Sequence, residues 1–338
     1  VGNLKYQAPG GAKQFVNFRH GSMEEQPRRW HIPVMVDQVL FYLNPRKGDL
    51  IVDYTVGSGG HARAILEEIV PGGRLVGIDR DQVALEAARE QLQQYEGHFV
   101  LVQENFKNVD SIFTRLGVEA VDGSLFDLGL SSLQIESPGR GFSYLREERL
   151  DMRMDRSTPL TAYDIVNGYS ENSLADIFRK YGEERWAKRI AHFIVQERVR
   201  DPVVTTTDLV KIVERAIPRS KRRRGHPAKR IFQALRIAVN DELNSLEAGL
   251  RGSFEHLRKG GRLVVISYHS LEDRIVKRIF RELAEECICP KELPQCQCGG
   301  VKKAKILTKK PVTPSLEERS RNPRSSSARL RAVEKIQG

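Results

Sequence analysis

Cysteine is scarce in this chain: four residues in 338, all between positions 287 and 298. So few thiols, confined to one short stretch, exclude a disulfide-stapled scaffold. Long apolar runs are missing as well, and none approaches the roughly 20 residues that a membrane-crossing helix needs. The opening residues lack the charged, apolar and small-residue order of a secretory signal, so the expected compartment is the cytoplasm. No internal repeat is visible, and no repeat architecture is expected. Acids are outnumbered, 44 against 55 lysines and arginines, which leaves a formal charge of +11. That surplus favours a polyanionic partner, because each phosphate neutralised releases counterions. What the chain does have is 40% hydrophobic residues, enough for a real core, and a length that suits one large domain with an insertion, or two domains. Gly21-Ser22-Met23 reads as a cloning scar ahead of a natural start, so residues 1–22 are set aside from the fold.

Four short apolar runs, at residues 50–55, 74–79, 98–103 and 121–127, alternate with helix-forming segments such as residues 82–94. This alternation predicts a parallel sheet with helices on both faces, an α/β fold. A fifth run lies far away, at residues 262–267, with a helical pattern at 271–284 after it. Between the fourth and fifth runs, Leu174, Ile177, Phe178 and Tyr181 continue into Trp186, Ile190, Phe193 and Ile194 at helical spacing. The expectation is a small helical domain, residues 134–227, inserted into a sheet domain made of residues 23–133 and 228–338. The return is expected through one long helix from 229 to about 257, ended by Gly260-Gly261. Residues 305–308 and 328–333 are candidates for closing edge strands.

The strongest local signal is Asp53-Tyr54-Thr55-Val56-Gly57-Ser58-Gly59-Gly60-His61, directly after a strand and opening a helix. Glycines there let the backbone turn sharply and approach a ligand. Asp79, at the end of the second strand, is placed to accept hydrogen bonds from the ribose hydroxyls of an adenosine. Gly57-x-Gly59-x-x-Ala62 also satisfies the dinucleotide fingerprint. Charge decides between the two readings. Asp53 just before the loop and Asp127 at the end of the fourth strand would repel a pyrophosphate, but would attract the sulfonium and ammonium of S-adenosylmethionine. Asp127-Leu128-Gly129-Leu130-Ser131-Ser132 sits at the sheet edge where cofactor and substrate meet, although the two serines could equally cap a helix.

These residues belong to a wider pattern. It includes His31 and Pro33-Val34-Met35, the glycine loop, Asp79-Arg80-Asp81, and Asp127-Leu128-Gly129-x-Ser131-Ser132-x-Gln134. Further on come Arg140-Gly141-Phe142-Ser143, Leu150-Asp151-Met152-Arg153-Met154-Asp155, Tyr181-Gly182-Glu183-Glu184-Arg185, Phe232-Gln233-Ala234-Leu235-Arg236-Ile237 and Ser267-x-His269-Ser270-Leu271-Glu272-Asp273-Arg274. In these motifs, over nearly everything after Trp30, the chain resembles the ribosomal RNA small-subunit methyltransferase H (MraW) family. The resemblance implies a class I, Rossmann-like S-adenosylmethionine methyltransferase sheet with a helical insertion. It implies methylation of the exocyclic amine of a cytosine in small-subunit rRNA, at position 1402 of the 16S molecule. It also implies a cofactor site of Gly59, Gly60, His61, Asp79, Phe106, Asp127 and Gln134. Phe106 would pack on adenine, unless it is a core aromatic.

The chemistry then asks for alignment more than for a strong base, because the methyl group arrives already activated while a cytosine amine is a poor nucleophile. Asp127, Ser131, Ser132 and His269 are the candidate catalytic residues. Asp127 could instead serve the cofactor, and His269 could be a structural histidine. Arg140, Phe142, Arg153 and the insertion are expected to hold RNA whose target base has left its stack. The run around Arg222, Arg223 and Arg224 is either a solvated loop or a further rRNA backbone contact. Cys287, Cys289, Cys296 and Cys298 either hold a structural zinc ion or are free thiols, because C-x-C spacing is not that of a zinc ribbon. Two rival functions remain. A non-catalytic ribosome-assembly factor would not bind the cofactor. A DNA cytosine-amine methyltransferase would carry a Pro-Pro-aromatic motif where this chain has Leu128-Gly129-Leu130.

Overall fold

The computed structural model describes residues 32–218, 220, 225–286 and 301–337. Seven strands form one sheet: β1 (Leu50–Asp53), β2 (Arg74–Asp79), β3 (Phe99–Gln103), β4 (Val121–Asp127), β5 (Leu257–Ser267), β6 (Ala304–Ile306) and β7 (Arg329–Lys335). Their order is β3-β2-β1-β4-β5-β7-β6, and β7 alone runs against its neighbours. This is the expected Rossmann-like sheet. Its order reverses beside β1, so a crevice forms at the carboxyl ends of β1 and β4, where ligands bind in such folds.

Alternation along the strands builds two cores. Ile51, Leu75, Leu125, Val264 and Ile266 pack to one side, against α1 (Val36–Leu43), α2 (Gly60–Ile69) and α3 (Gln82–Gln91). Val52, Val76, Phe126, Leu263 and Val265 face the other. Consecutive residues such as Leu125 and Phe126 thus enter opposite cores, as a strand covered on both faces requires. The second face is covered by α4 (Val109–Leu116) and by helices that come later in the chain.

After α5 (Ser132–Glu136) the chain leaves the sheet for a helical layer of α6 (Ala162–Gly168), α7 (Glu171–Lys180), α8 (Ala187–Arg198), α9 (Thr206–Ala216) and α10 (Lys229–Asn240). Side-chain caps start α6, α7 and α9: Thr161 with Asp164, Ser170, and Thr205 with Asp208. Leu174, Phe178, Ile190, Ile194, Leu209 and Phe232 share a separate apolar core that continues along α10 to Val239. The described residues nevertheless form one compact unit. No helix among the described residues is long and apolar enough to cross a membrane.

The single long helix expected after residue 229 is in fact two. Asp241 adopts a left-handed conformation, φ 49°, between α10 and α11 (Glu242–Glu255). Asp tolerates that conformation better than most residues, so no glycine or proline marks the break. The bend lets α10 pack in the helical core while Leu246, Leu250 and Phe254 of α11 pack on the sheet. Gly260-Gly261 does not end a helix either. β5 already begins at Leu257, and the pair forms an irregularity inside it, opposite Val121 and Gly123. A Cβ at Gly261 would lie 2.9 Å from the Arg258 carbonyl oxygen and 3.0 Å from that of Asp122, so only glycine fits. The strand is followed by α12 (Ser270–Ala284), and α13 (Leu316–Arg321) precedes β7.

Candidate active site

A cavity of about 430 Å³ opens at the carboxyl edge of the sheet. One side is the loop between β1 and α2. Gly57 and Gly59 take φ of 52° and 91° there, and a Cβ at Gly59 would sit 3.3 Å from the Cα of Ala88. The loop is pinned by carboxylates. Thr55 N–H donates to Asp53 Oδ1 (3.1 Å), Gly57 N–H to Asp79 Oδ2 (3.0 Å) and Asp81 N–H to Asp79 Oδ1 (2.9 Å). Burial pushes Asp53 up to about 7, with repulsion from Asp127 and Asp79 adding to it. Desolvation likewise pushes Asp79 up to about 6, with Asp81 adding repulsion. A cation beside such carboxyls would draw them back toward the ionised form, a fit that a sulfonium and an ammonium group offer and a pyrophosphate does not.

Asp127 stands at the back of this crevice. Its Oδ1 accepts from the Tyr268 hydroxyl (2.7 Å), its Oδ2 lies 3.5 Å from His61 Nδ1, and its N–H donates to Thr55 Oγ1 (2.6 Å). His61 Nε2 faces the Val34 carbonyl at 2.8 Å, so that nitrogen carries a proton. Desolvation, and then the charge of Asp127, raise the Tyr268 phenol well above its ordinary value, which keeps it a donor. Phe106 presents its ring to the cavity while its edge packs on Phe126 at 5.4 Å and the Arg80 guanidinium lies over it at 5.7 Å. Phe106 thus lines the cavity and also packs against the sheet core.

Gln134 and Ser131 line the cavity too. They form a capping box at the start of α5: Gln134 N–H donates to Ser131 Oγ, and Ser131 N–H to Gln134 Oε1. The Gln134 amide also donates to Asp81 Oδ2 at 3.1 Å. Ser132 lies in α5, and its side chain is outside the described residues.

The far side of the cavity comes from α10, α11 and the start of α12. Arg236 donates twice to Glu242, at 2.8 and 2.7 Å, in a largely buried pair. His269 caps α12 with Glu272, whose Oε1 lies 3.1 Å from Nε2. Burial pushes Glu272 upward, but His269 and Arg236 outweigh it and hold the carboxyl below its ordinary value. Ligand atoms of Glu242, His269 and Glu272 lie within 4.8 Å of one another, which is metal-site spacing. Arg236, close to both carboxylates, already supplies the positive charge there. Lys229 and Gln233 complete the wall.

The residues expected to hold RNA are placed differently. Arg140 is buried, 4% exposed, and donates to Asp81 Oδ2 (2.7 Å) and to the carbonyls of Arg153 and Met154. It is a strut that fixes Asp81, and no phosphate reaches it. Phe142 is buried in the helical core and offers no face for stacking. Arg153 is tied to Asp151 through two bonds and to the carbonyls of Arg156 and Thr158. Burial hides this from a sequence reading, because an arginine or a phenylalanine in a motif suits a strut as well as a contact. Arg222, Arg223, Arg224 and the four cysteines lie outside the described residues.

Tyr268, Glu242 and Lys229 had no place in the sequence reading of the site, and Thr55, Gln233 and Arg236 stood in its motifs without a role. One signal was present for three of them. Lys229, Gln233 and Arg236 recur at i, i+4 and i+7, a polar stripe on a helix otherwise rich in buried residues.

A Rossmann-like sheet whose crevice joins a glycine loop, an acid at the end of β2 and a hydrogen-bonded carboxylate at the end of β4 has the architecture of a methyltransferase. The chain belongs to the MraW methylase family, which it matches over residues 28–336. It is 54% identical over 307 residues to the "Ribosomal RNA small subunit methyltransferase H" of Geobacter sulfurreducens, an alignment covering 90% of this chain and 99% of that protein. The protein of the same name from Geotalea daltonii is 52% identical, covering 90% and 98%. Among solved structures, an rRNA methylase from Streptococcus thermophilus is a distant likeness, with 11% identity, 89% and 94% coverage and a TM-score of 0.40.

Proposed function

We propose that the chain transfers a methyl group from S-adenosylmethionine to the exocyclic amine of a cytosine in small-subunit ribosomal RNA, the cytosine at position 1402 of the 16S molecule. The relatives' shared name supports the RNA class. The observation that carries the reading is Asp127, held by Tyr268 and Thr55 where the glycine-loop side of the cavity meets the helix side. The cofactor supplies a methyl group already activated by its sulfonium. The protein's share is alignment. Asp79 would accept from the ribose hydroxyls, Phe106 would pack on the adenine, and the buried carboxylates would hold the positive end. Asp127 would accept from the cytosine amine, turning its lone pair toward the methyl carbon. Ser131 and His269 line the same space and would receive the base edge. The proton leaves the nitrogen only after it has gained positive charge, so a weak acceptor suffices.

The test incubates the protein with labelled cofactor and undermethylated small subunits, then digests the RNA to nucleosides. Label is expected on the cytosine amine, and Asp127→Ala is expected to lower the rate by about 10³-fold or more, as loss of a preorganised charge does. Label on a ring carbon, on ribose or on an adenine amine would overturn the assignment. Full activity in a folded Asp127→Ala protein would remove that residue's role.

A further inference from the structure

A second hollow, also about 430 Å³, lies away from the active site between α12 and the β6–β7 edge. Lys277, Arg281, Lys302, Lys309 and Arg331 line it over an apolar floor that includes Phe280, and among the described residues its lining contains no carboxylate. Lys305 lines it too, but its strand register sets it opposite Glu334. Arg331 is paired with Asp273 (2.6 Å), which also takes Arg329 (3.2 Å).

The two flanks of α12 differ sharply in charge. On one, Arg278 pairs with Glu247 and Glu282, Arg251 of α11 pairs with the same two acids, and Arg274 pairs with Glu183. On the other, Lys277 and Arg281 are exposed, stand one helical turn apart, and have no ion-pair partner among the described residues. Lys302 and Lys309 have none either. A merely solvated face would carry both signs, as the first flank does. Converging uncompensated cations cost self-repulsion, which a polyanion relieves.

We propose that this hollow docks the phosphodiester backbone of RNA while the target base occupies the active site. Lysine and arginine suit phosphate oxygens, and arginine can engage them in a fork. The geometry is favourable, because α12 begins at the active site with His269. Lys277 and Arg281 follow it by eight and twelve residues, about 12 and 18 Å along the helix. One RNA strand can reach both. The proposal rests on the RNA reading above, and its test can fail separately from it.

The experiment measures binding of Lys277→Gln/Arg281→Gln protein to undermethylated small subunits and to a naked rRNA fragment, across a salt series. Affinity is expected to fall about tenfold at moderate salt, and the log–log salt slope to flatten by about 1.5, the loss of two phosphate contacts. Cofactor affinity should not change. Arg251→Gln/Arg278→Gln removes the same charge from the neutralised flank and is expected to leave the slope as it was. An unchanged slope in the first variant, or an equal change in the second, would overturn the proposal. Weaker binding to subunits with unchanged binding to naked RNA would assign the hollow to a ribosomal protein instead. Should the wild type bind RNA in this way yet place no label on cytosine, the docking surface stands and the reaction falls.

Discussion

The two sides of the active-site cavity solve their electrostatics in opposite ways. The glycine-loop side gathers Asp53, Asp79 and Asp127, and burial leaves two of them at about 7 and 6, short of full ionisation at neutral pH. The helix side carries two acids, but Arg236 pairs with Glu242 and His269 lies 3.1 Å from Glu272. On one side burial holds two acids above their ordinary values; on the other, Arg236 and His269 stand against the acids. On the function proposed above, a cationic ligand would be drawn to the first by charge and would meet the second chiefly through shape and hydrogen bonds.

Breaking the self-neutralised side should have the largest effect on the fold. Arg236→Met leaves Glu242 buried without its partner, and a loss of about 3–5 kcal/mol in denaturant unfolding is expected. The double variant Arg236→Met/Glu242→Leu should recover most of that. A single-variant loss under about 1 kcal/mol would mean that this wall does not depend on its own pair. On the other side, Asp79→Ala should weaken cofactor binding by about 1–3 kcal/mol, the value of hydrogen bonds to a charged group, read by calorimetry on folded protein. Unchanged affinity would remove the acid from the site.

The smallest effect is on pH dependence. A bound cation favours the ionised carboxylates, so cofactor binding near pH 6 should release protons, and affinity should rise about tenfold from pH 5.5 to 8. Calorimetry in buffers of different ionisation enthalpy counts those protons. For the unliganded fold the sign reverses. Carboxyls raised from their ordinary value near 4 contribute stability that is fully present below that value and is lost as pH climbs through 6 and 7. A flat affinity profile would place the ligand's positive charge elsewhere.

Legibility followed the same division. The glycine-loop side was readable because its residues are neighbours in sequence: a strand, a turn and an acid one strand later are a local pattern. Six of the seven strands fall within a few residues of where alternation put them, and β5 starts five residues early because Gly260-Gly261 was read as a helix stop. On the helix side His269 was named, but Lys229, Glu242 and Tyr268 were not, because they reach the cavity only after the chain has folded back. The break at Asp241 had no breaker residue to announce it. Arg140 and Phe142 stood out as motif members, but nothing in a linear chain tells a buried strut from a surface contact.

The sheet order also fixes when the fold can be finished. β6 is synthesised before β7 but lies outside it, and among the described residues its only strand partner is β7. While the ribosome is still making residues 307–328, β6 has nowhere to pair and β5 presents a bare edge, a standing invitation to wrong partners. The segment Arg329–Lys335 then enters between them and closes both edges in one event. A nascent chain halted before that segment should therefore associate with other chains, even though its entire glycine loop has already been made.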